Sequence, residues 1–350
     1  MAALRTLPAL WWEQEGTAVR CLLCPHRCLI SPGRKGRCGV RYHEAGKGLC
    51  TLNDGWIAAL AVDPVEKKPL FHFKPGSRVL SLGTVGCNMR CPFCQNWHLA
   101  RSMDAYEGVP SEEQLPTVPG SIASSVPQDV LAEAQRLGVP SVAFSYNEPV
   151  VWFEFLRRTL PVLKEGGLAT LLVTNGLINP EPLEELLPFL DGANVDVKAF
   201  VPHVYREELG GDLAAVRATV EMLRNAGKHV ELTFLLAPPL NDDLEDFRRL
   251  LQWIQQLPGN LPPPLHISRS FPRYRWNAPS PSPQVLHTFL DEARRVLPFV
   301  YLGNVEEPEI TKCCRCGRDI VERRGYTIFH NSLDASGKCG YCGADNGMVS

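Results

Sequence analysis

At 350 residues the chain is long enough for a large barrel plus one or two small modules. Its 45% hydrophobic content, 21% charged content and net charge of −2 are those of a soluble globular protein and argue against nucleic acid held by bulk electrostatics. No apolar run approaches the roughly 18 residues of a membrane span, and Met1 to Trp12 carry no signal-peptide pattern, so a cytoplasmic protein with no membrane partner is expected.

The 13 cysteines fall in three clusters and leave a cysteine-free stretch from Gln95 to Lys312. That is the spacing of metal ligands in a reducing compartment, not of a short secreted disulfide scaffold. The first cluster is Cys21-x2-Cys24-x3-Cys28 followed by Cys38. Four thiolates there suit either zinc or a second iron–sulfur cubane. Gly33, Gly36 and Gly39 permit the turns that bring Cys38 back to the others. His26 reads as a loop residue, with ligation as the alternative, and Cys50 as a buried thiol outside the pattern. From Cys50 to Pro75 the chain reads as a bridge with a strand over Trp56 to Val62. Asp63 to Phe73 mixes charge with aromatic residues and reads as a solvated loop with aromatic anchors; the alternative is a substrate-facing role.

The short apolar run Val79 to Leu82 leads into Cys87-x3-Cys91-x2-Cys94. A cubane has four corners, and three thiolates on one tight loop hold three of them. The fourth iron is then open to a chelating ligand. A zinc site reads differently, as two C-x2-C pairs far apart. The competing reading of the three is a structural metal knuckle or a set of buried thiols.

Strands and helices alternate from Arg78 onward. After a polar, Pro- and Ser-rich excursion from Asp104 to Ser125, Val130, Leu131, Ala134 and Leu137 mark one helix face, stopped by Gly138. Strands follow at Val142 to Phe144, Leu168 to Val173, Ala193 to Val197, Val230 to Leu236 and Leu265 to Ser268, with a short one at Phe299 to Leu302. Between them lie helices with apolar faces, one opened by Asn179 as N-cap and Pro180 at the first helical position. Repeated βα units of this kind predict an α/β fold, a partial (β/α)6 barrel with helices outside and a lateral opening where it fails to close. A flat doubly wound sheet would want a glycine-rich phosphate loop after the first strand, where a cysteine loop stands instead. The expected domains are a Cys-rich module over 1–77, the barrel over 78–305 and a small module over 306–350.

Barrel chemistry sits at the C-terminal strand ends. There the sequence puts Ser145-Tyr146-Asn147-Glu148-Pro149, Thr174-Asn175-Gly176, Asp196-Val197-Lys198, Glu231 with Thr233, and His266-Ile267-Ser268-Arg269. One polar strand end is commonplace; five around one mouth point to a site. The third cluster, Cys313-x2-Cys316 and Cys339-x2-Cys342 with Gly317 and Gly343 after the pairs, is a zinc-ribbon pattern, and Cys314 is spare.

The motif Gly83-Thr84-Val85-Gly86-Cys87-Asn88-Met89-Arg90-Cys91-Pro92-Phe93-Cys94 resembles that of the radical SAM enzymes, in which a residue like Phe93 precedes the last cysteine. Over nearly its whole length the chain looks like the activating enzymes of glycyl-radical enzymes, the pyruvate formate-lyase activating enzyme family, and most closely like the AmmeMemoRadiSam system radical SAM family. The resemblance implies one 4Fe-4S cluster on Cys87, Cys91 and Cys94 with S-adenosylmethionine (SAM) on the open iron. It implies that Tyr146, Asn147 and Glu148 meet the SAM amino group, with Phe93, Thr174 and Asn175 also lining the cofactor. Asp196 and Lys198 would lie near its methionyl or ribose part, and His266 near the nucleoside or substrate, which His266 and Arg269 would orient. The activating enzymes usually carry Gly-Gly-Glu-Pro where this chain has Tyr146-Asn147-Glu148-Pro149.

The expected function is reductive cleavage of SAM to a 5′-deoxyadenosyl radical that takes hydrogen from a protein or small-molecule substrate. The electron would come from a donor such as ferredoxin or flavodoxin. The alternatives are a non-catalytic iron–sulfur or zinc scaffold that binds partners, and an RNA-modifying radical SAM enzyme.

Overall fold

The computed structural model describes residues 6–110 and 125–350. One sheet of eight strands organises it: β1 (Ala59–Pro64), β2 (Arg78–Gly83), β3 (Ser141–Phe144), β4 (Ala169–Thr174), β5 (Gly192–Asp196), β6 (His229–Leu236), β7 (Leu265–Arg269) and β8 (Val300–Gly303). Strand β1 is antiparallel to β2, and every pairing from β2 to β8 is parallel. Spatial order follows sequence order without reversal. The sheet therefore winds in one direction, as a barrel does and a doubly wound sheet does not. The short strand expected near residue 300 is β8, one parallel strand beyond six units. Strand β1 begins later than the sequence suggests, because Trp56 is held in a turn on Asn53 and buried with Val40, Leu52 and Val85.

Both faces of the sheet are covered, which is why its strands read as unbroken apolar runs; all four residues of β3 are buried. The covering helices are α1 (Pro127–Leu137), α2 (Phe153–Glu165), α3 (Pro180–Leu186), α4 (Leu213–Asn225), α5 (Leu244–Gln255) and α6 (Pro283–Arg294). Helix α4 buries Val216, Val220 and Leu223, each worth about 1.5–3 kcal/mol of apolar burial, and starts on Asp212, whose carboxylate accepts from the Ala214 amide. Asp243 and Ser282 cap α5 and α6 in the same way. Asn179 precedes Pro180 as expected but does not cap α3 with its side chain. Its amide side chain donates to the Leu22 carbonyl and its backbone N–H to Leu23, so it ties the first cysteine module to the barrel.

The segment after β1 corrects the sequence reading. Because β1 runs against β2, residues 65–73 arrive at the foot of the barrel, where the parallel strands begin. Val65, Glu66, Lys68, Leu70, Phe71, His72 and Phe73 are all buried there, so this is a plug and not a solvated loop. The Phe71 and His72 amides donate to Glu231 on β6, and Asn194 on β5 donates to the Pro69 carbonyl. The C-terminal strands β9 (Pro308–Lys312), β10 (Asp319–Arg324) and β11 (Thr327–Asn331) close over the same end. Arg323 donates to the Phe71 carbonyl, and Val349 exchanges backbone bonds with His72 and Lys74.

At the other end, the loop after β7 crosses to the cysteine loop: the Arg275 amide donates to the Pro92 carbonyl at 3.0 Å. Trp276 meets Phe93 edge-on at 6.1 Å, and Tyr274 stacks on Trp97 at 5.4 Å. The sheet keeps two edge strands, β1 and β8, as a partial barrel does. Of the polar excursion expected from Asp104 to Ser125, residues 111–124 lie outside the described residues.

Candidate active site

Strand β2 ends at Gly83, and the cysteine loop follows at the C-terminal end of the parallel strands. Its shape is held by polar groups around it. The Arg101 guanidinium donates to the carbonyls of Cys87, Met89 and Ala100, Asn96 to that of Tyr146, and Asn88 to that of Leu177. Cys87, Cys91 and Cys94 are half-buried. Burial pushes all three thiols up, Cys91 to about 11, so loading a metal must displace their protons.

One zinc ion at about 2.3 Å from four sulfurs holds them about 3.8 Å apart along the edges of a tetrahedron. Among the described residues, only Cys313, Cys316, Cys339 and Cys342 have ligand atoms that all lie within 4.8 Å of one another. Their sulfurs stand 3.6 Å apart for Cys313–Cys342 and 3.8 Å for Cys316–Cys339. Among the described residues, the loop cysteines do not form a group that converges in this way.

Three strand ends surround that loop. After β3, Tyr146 takes φ +69°, a left-handed conformation that glycine adopts freely and a tyrosine seldom does. Its hydroxyl donates to Asp63 at 3.1 Å, and the Lys68 ammonium lies 4.5 Å from its ring centroid. Burial opposes a charge on Asp63, but Lys68 and Lys67 prevail and hold it at about 2. Asn147 accepts from the Thr84 amide and donates to the Gly86 carbonyl, so it packs along the loop itself.

Glu148 is fully buried beside Cys87 and accepts from the Asn175 amide, the Thr174 hydroxyl and the Val150 amide. Burial outweighs those three bonds and lifts its carboxyl to about 7. The Asn175 side chain donates to Asn88 at 3.0 Å and approaches the Cys87 sulfur at 3.7 Å. After β5, Lys198 pairs with Asp196 at 2.7 Å within reach of Cys91. Burial works against the Lys198 ammonium, yet Asp196 and the Cys91 thiol keep its pKa above the ordinary value. Phe93 is buried under Trp276.

His266 does not join this group. It lies 1% exposed inside the barrel, its Nε2 2.7 Å from Glu231, with Phe71 edge-on at 4.8 Å and Tyr301 at 5.4 Å. The plug that seals the foot covers it, so the expected substrate-facing histidine is a packing and hydrogen-bonding residue. Strand β7 does carry Arg269 to the rim, where its guanidinium donates to the Pro281 carbonyl. A cleft of about 440 Å³ opens at the foot between Lys74, Pro140, Asn331 and Val349, with no cysteine in its lining.

The C-terminal cysteines sit at that foot, at the opposite end from the loop. Removing a metal from them is expected to unfold residues 308–350 and release Arg323 from Phe71. Hydrogen exchange of the full chain with and without a zinc chelator checks this: protection should fall there and over 65–73, while the barrel strands stay protected. Unchanged protection in the chelated protein refutes a structural metal. Cys314 is exposed and off the set, and Cys50 is a buried thiol, as expected. Cys21, Cys24, Cys28 and Cys38 line one pocket against the cysteine loop.

Several residues around the site carry no signal in spacing. Asn88 stands inside the cysteine motif and Asn96 two residues past it, where a count of ligands passes over them. Arg101, Lys68 and Trp276 reach the site from elsewhere in the chain and are visible only once it is folded.

Residues 81–254 match the family model of the Radical SAM superfamily. The chain is 33% identical over 344 residues to an uncharacterized protein of Methanocaldococcus jannaschii, covering 96% of this chain and 97% of that one. It is 26% identical over 188 residues to a pyruvate formate-lyase-activating enzyme of Streptococcus mutans, covering 49% of this chain and 64% of that enzyme. Among solved structures, a domain of the pyruvate-formate lyase-activating enzyme of Bacteroides vulgatus superposes with a TM-score of 0.41 at 18% identity, over 47% of this chain and 99% of that one. Streptococcus suis SuiB bound to precursor peptide SuiA gives 0.47 at 17% identity, over 68% of this chain and 51% of that one.

Proposed function

The chain belongs to the radical SAM superfamily, and on that premise we propose that it is an enzyme whose Cys87, Cys91 and Cys94 hold a 4Fe-4S cluster with SAM as its further ligand. When bound, the pair supplies a 5′-deoxyadenosyl radical for hydrogen abstraction, on an electron from a ferredoxin- or flavodoxin-type donor. The remaining work falls to the chain. Glu148, fixed by Thr174 and Asn175, sets a carboxylate beside Cys87, suited to the SAM amino group. Lys198 and Asp196 offer one charge of each sign beside Cys91, suited to a carboxylate and a ribose hydroxyl. The Tyr274–Trp276 loop lies over Phe93 and Trp97 and keeps water from the reacting centre.

The carrying observation is that three thiols of one loop, outside the single-ion group found among the described residues, meet Glu148, Asn175, Asp196 and Lys198 at the C-terminal strand ends. The substrate is a separate protein or small molecule. A glycine in a partner protein is the version favoured by the relative named as an activating enzyme. Tyr146, where those enzymes usually carry a glycine, takes a positive φ that glycine adopts freely.

Anaerobically reconstituted, reduced protein given SAM is expected to form 5′-deoxyadenosine and to show a SAM-perturbed EPR signal. Changing Cys87, Cys91 and Cys94 together to alanine should abolish both. A SAM-sensitive signal that survives the triple change refutes the assignment.

A further inference from the structure

We propose that Cys21, Cys24, Cys28 and Cys38 hold a second four-iron cluster rather than zinc, seated directly behind the loop that carries Cys87. Within this one protein the C-terminal cysteines show what a single-ion set looks like, with all four sulfurs mutually within 4.8 Å. The N-terminal four do not converge in that way, yet all of them line one pocket. Four thiolates on one pocket wall outside a single-ion grouping can each take an iron of their own. His26 lines the same pocket, but its Nε2 is engaged with the Asn88 carbonyl at 2.8 Å, which leaves the cysteines as the ligand set.

The pocket also holds donors that lack an acceptor. Arg41 is 1% exposed; its terminal nitrogens bond the Leu10 carbonyl and Glu154, while its buried Nε has no partner. The Nε of Arg37, on the same wall, is likewise buried and unpartnered. A buried donor left alone costs about 1–3 kcal/mol, so two on one wall point to acceptors facing them. The sulfides and thiolates of an anionic cluster are such acceptors, and N–H bonds to sulfur are a means by which proteins set a cluster's potential.

The two sites share a wall. The Cys87 amide donates to the Cys38 carbonyl at 3.3 Å, and Asn88 lines the N-terminal pocket while bonded to Asn175 in the first site. With four thiolates every iron of this cluster is taken, so it has no corner for substrate. Its chemistry is one-electron transfer: one electron accepted from a reduced ferredoxin- or flavodoxin-type donor and passed to the neighbouring cluster, with no bond or proton changed.

The test uses the full chain reconstituted with iron and sulfide in the presence of zinc. The wild type should hold about eight irons and the Cys87, Cys91 and Cys94 triple alanine variant about four, with a reduced EPR signal indifferent to SAM. Both should hold zinc for the C-terminal cysteines alone. Replacing Cys24 and Cys28 with alanine should remove that SAM-indifferent signal and keep the SAM-sensitive one. Should that variant not fold, the iron count of the triple variant decides by itself. A triple variant without iron, with or without extra zinc, overturns the proposal. Its iron count does not depend on SAM cleavage, so this proposal and the proposed function fail separately.

Discussion

Replacing Glu231 with alanine is expected to lower the stability of the chain by about 3–5 kcal/mol, the range for removing one side of a buried charged network. Its side chain is fully buried and accepts from the Phe71 and His72 amides, from His229 at 2.9 Å and from His266 at 2.7 Å. One carboxylate therefore pins the plug to β6 and joins β6 to β7. Alanine leaves two backbone amides and two imidazoles without an acceptor, in a place where water has little access. Burial alone would raise this carboxyl, but the bonds from His229 and His266 prevail and hold its pKa below the ordinary 4.5. Its contribution is thus complete above the unfolded carboxyl's pKa and fades as the pH falls below it. Denaturant unfolding at neutral and acid pH measures both: the gap between wild type and Glu231→Ala should narrow in acid. A loss under about 1 kcal/mol at neutral pH contradicts this account.

The same carboxylate marks what the sequence hides. Period and run length carry the parallel strands, because strands buried on both faces read as plain apolar runs and the glycine and cap residues punctuate them. The three cysteine sets are legible too, since their spacing is covalent. Glu231 and His266, two apart in register on neighbouring strands, look like mouth residues when barrel chemistry is expected at every strand end. What turns them into foot residues is a segment more than 150 positions away, whose Phe71 N–H lies 3.0 Å from Glu231. The stretch from Asp63 to Phe73 has the composition of a loop, and its buried role depends on partners on β5, β6, β10 and the C-terminus. Tyr146 fails to read for another reason: a positive φ is legible at glycine, whereas at tyrosine nothing in the sequence marks it, and the contacts of its ring with Asp63 and Lys68 exist only in the folded chain.

Gly86→Ala is expected to cost several kcal/mol more than Gly138→Ala, although both glycines adopt positive φ, +89° and +61°. Gly138 ends α1 with nothing within 4 Å of an added Cβ, so alanine there meets only the left-handed penalty of about 1 kcal/mol. At Gly86 the Cβ would stand 2.7 Å from the Cys38 carbonyl oxygen and 2.7 Å from Val40. The carbonyl is backbone and cannot rotate aside like the end of a flexible side chain. It is also the acceptor for the Cys87 amide, so relief of the clash must part the first cysteine module from the cysteine loop. Because both cysteine sets lean on that seam, iron loading is expected to fall along with stability, and the SAM-sensitive EPR signal with it. Gly138→Ala should keep its iron. Paired denaturant curves and iron analyses of the two variants make the comparison, and a Gly86→Ala protein as stable and as well loaded as Gly138→Ala would show that the close approach of Cys38 to Cys87 matters to neither fold nor cluster.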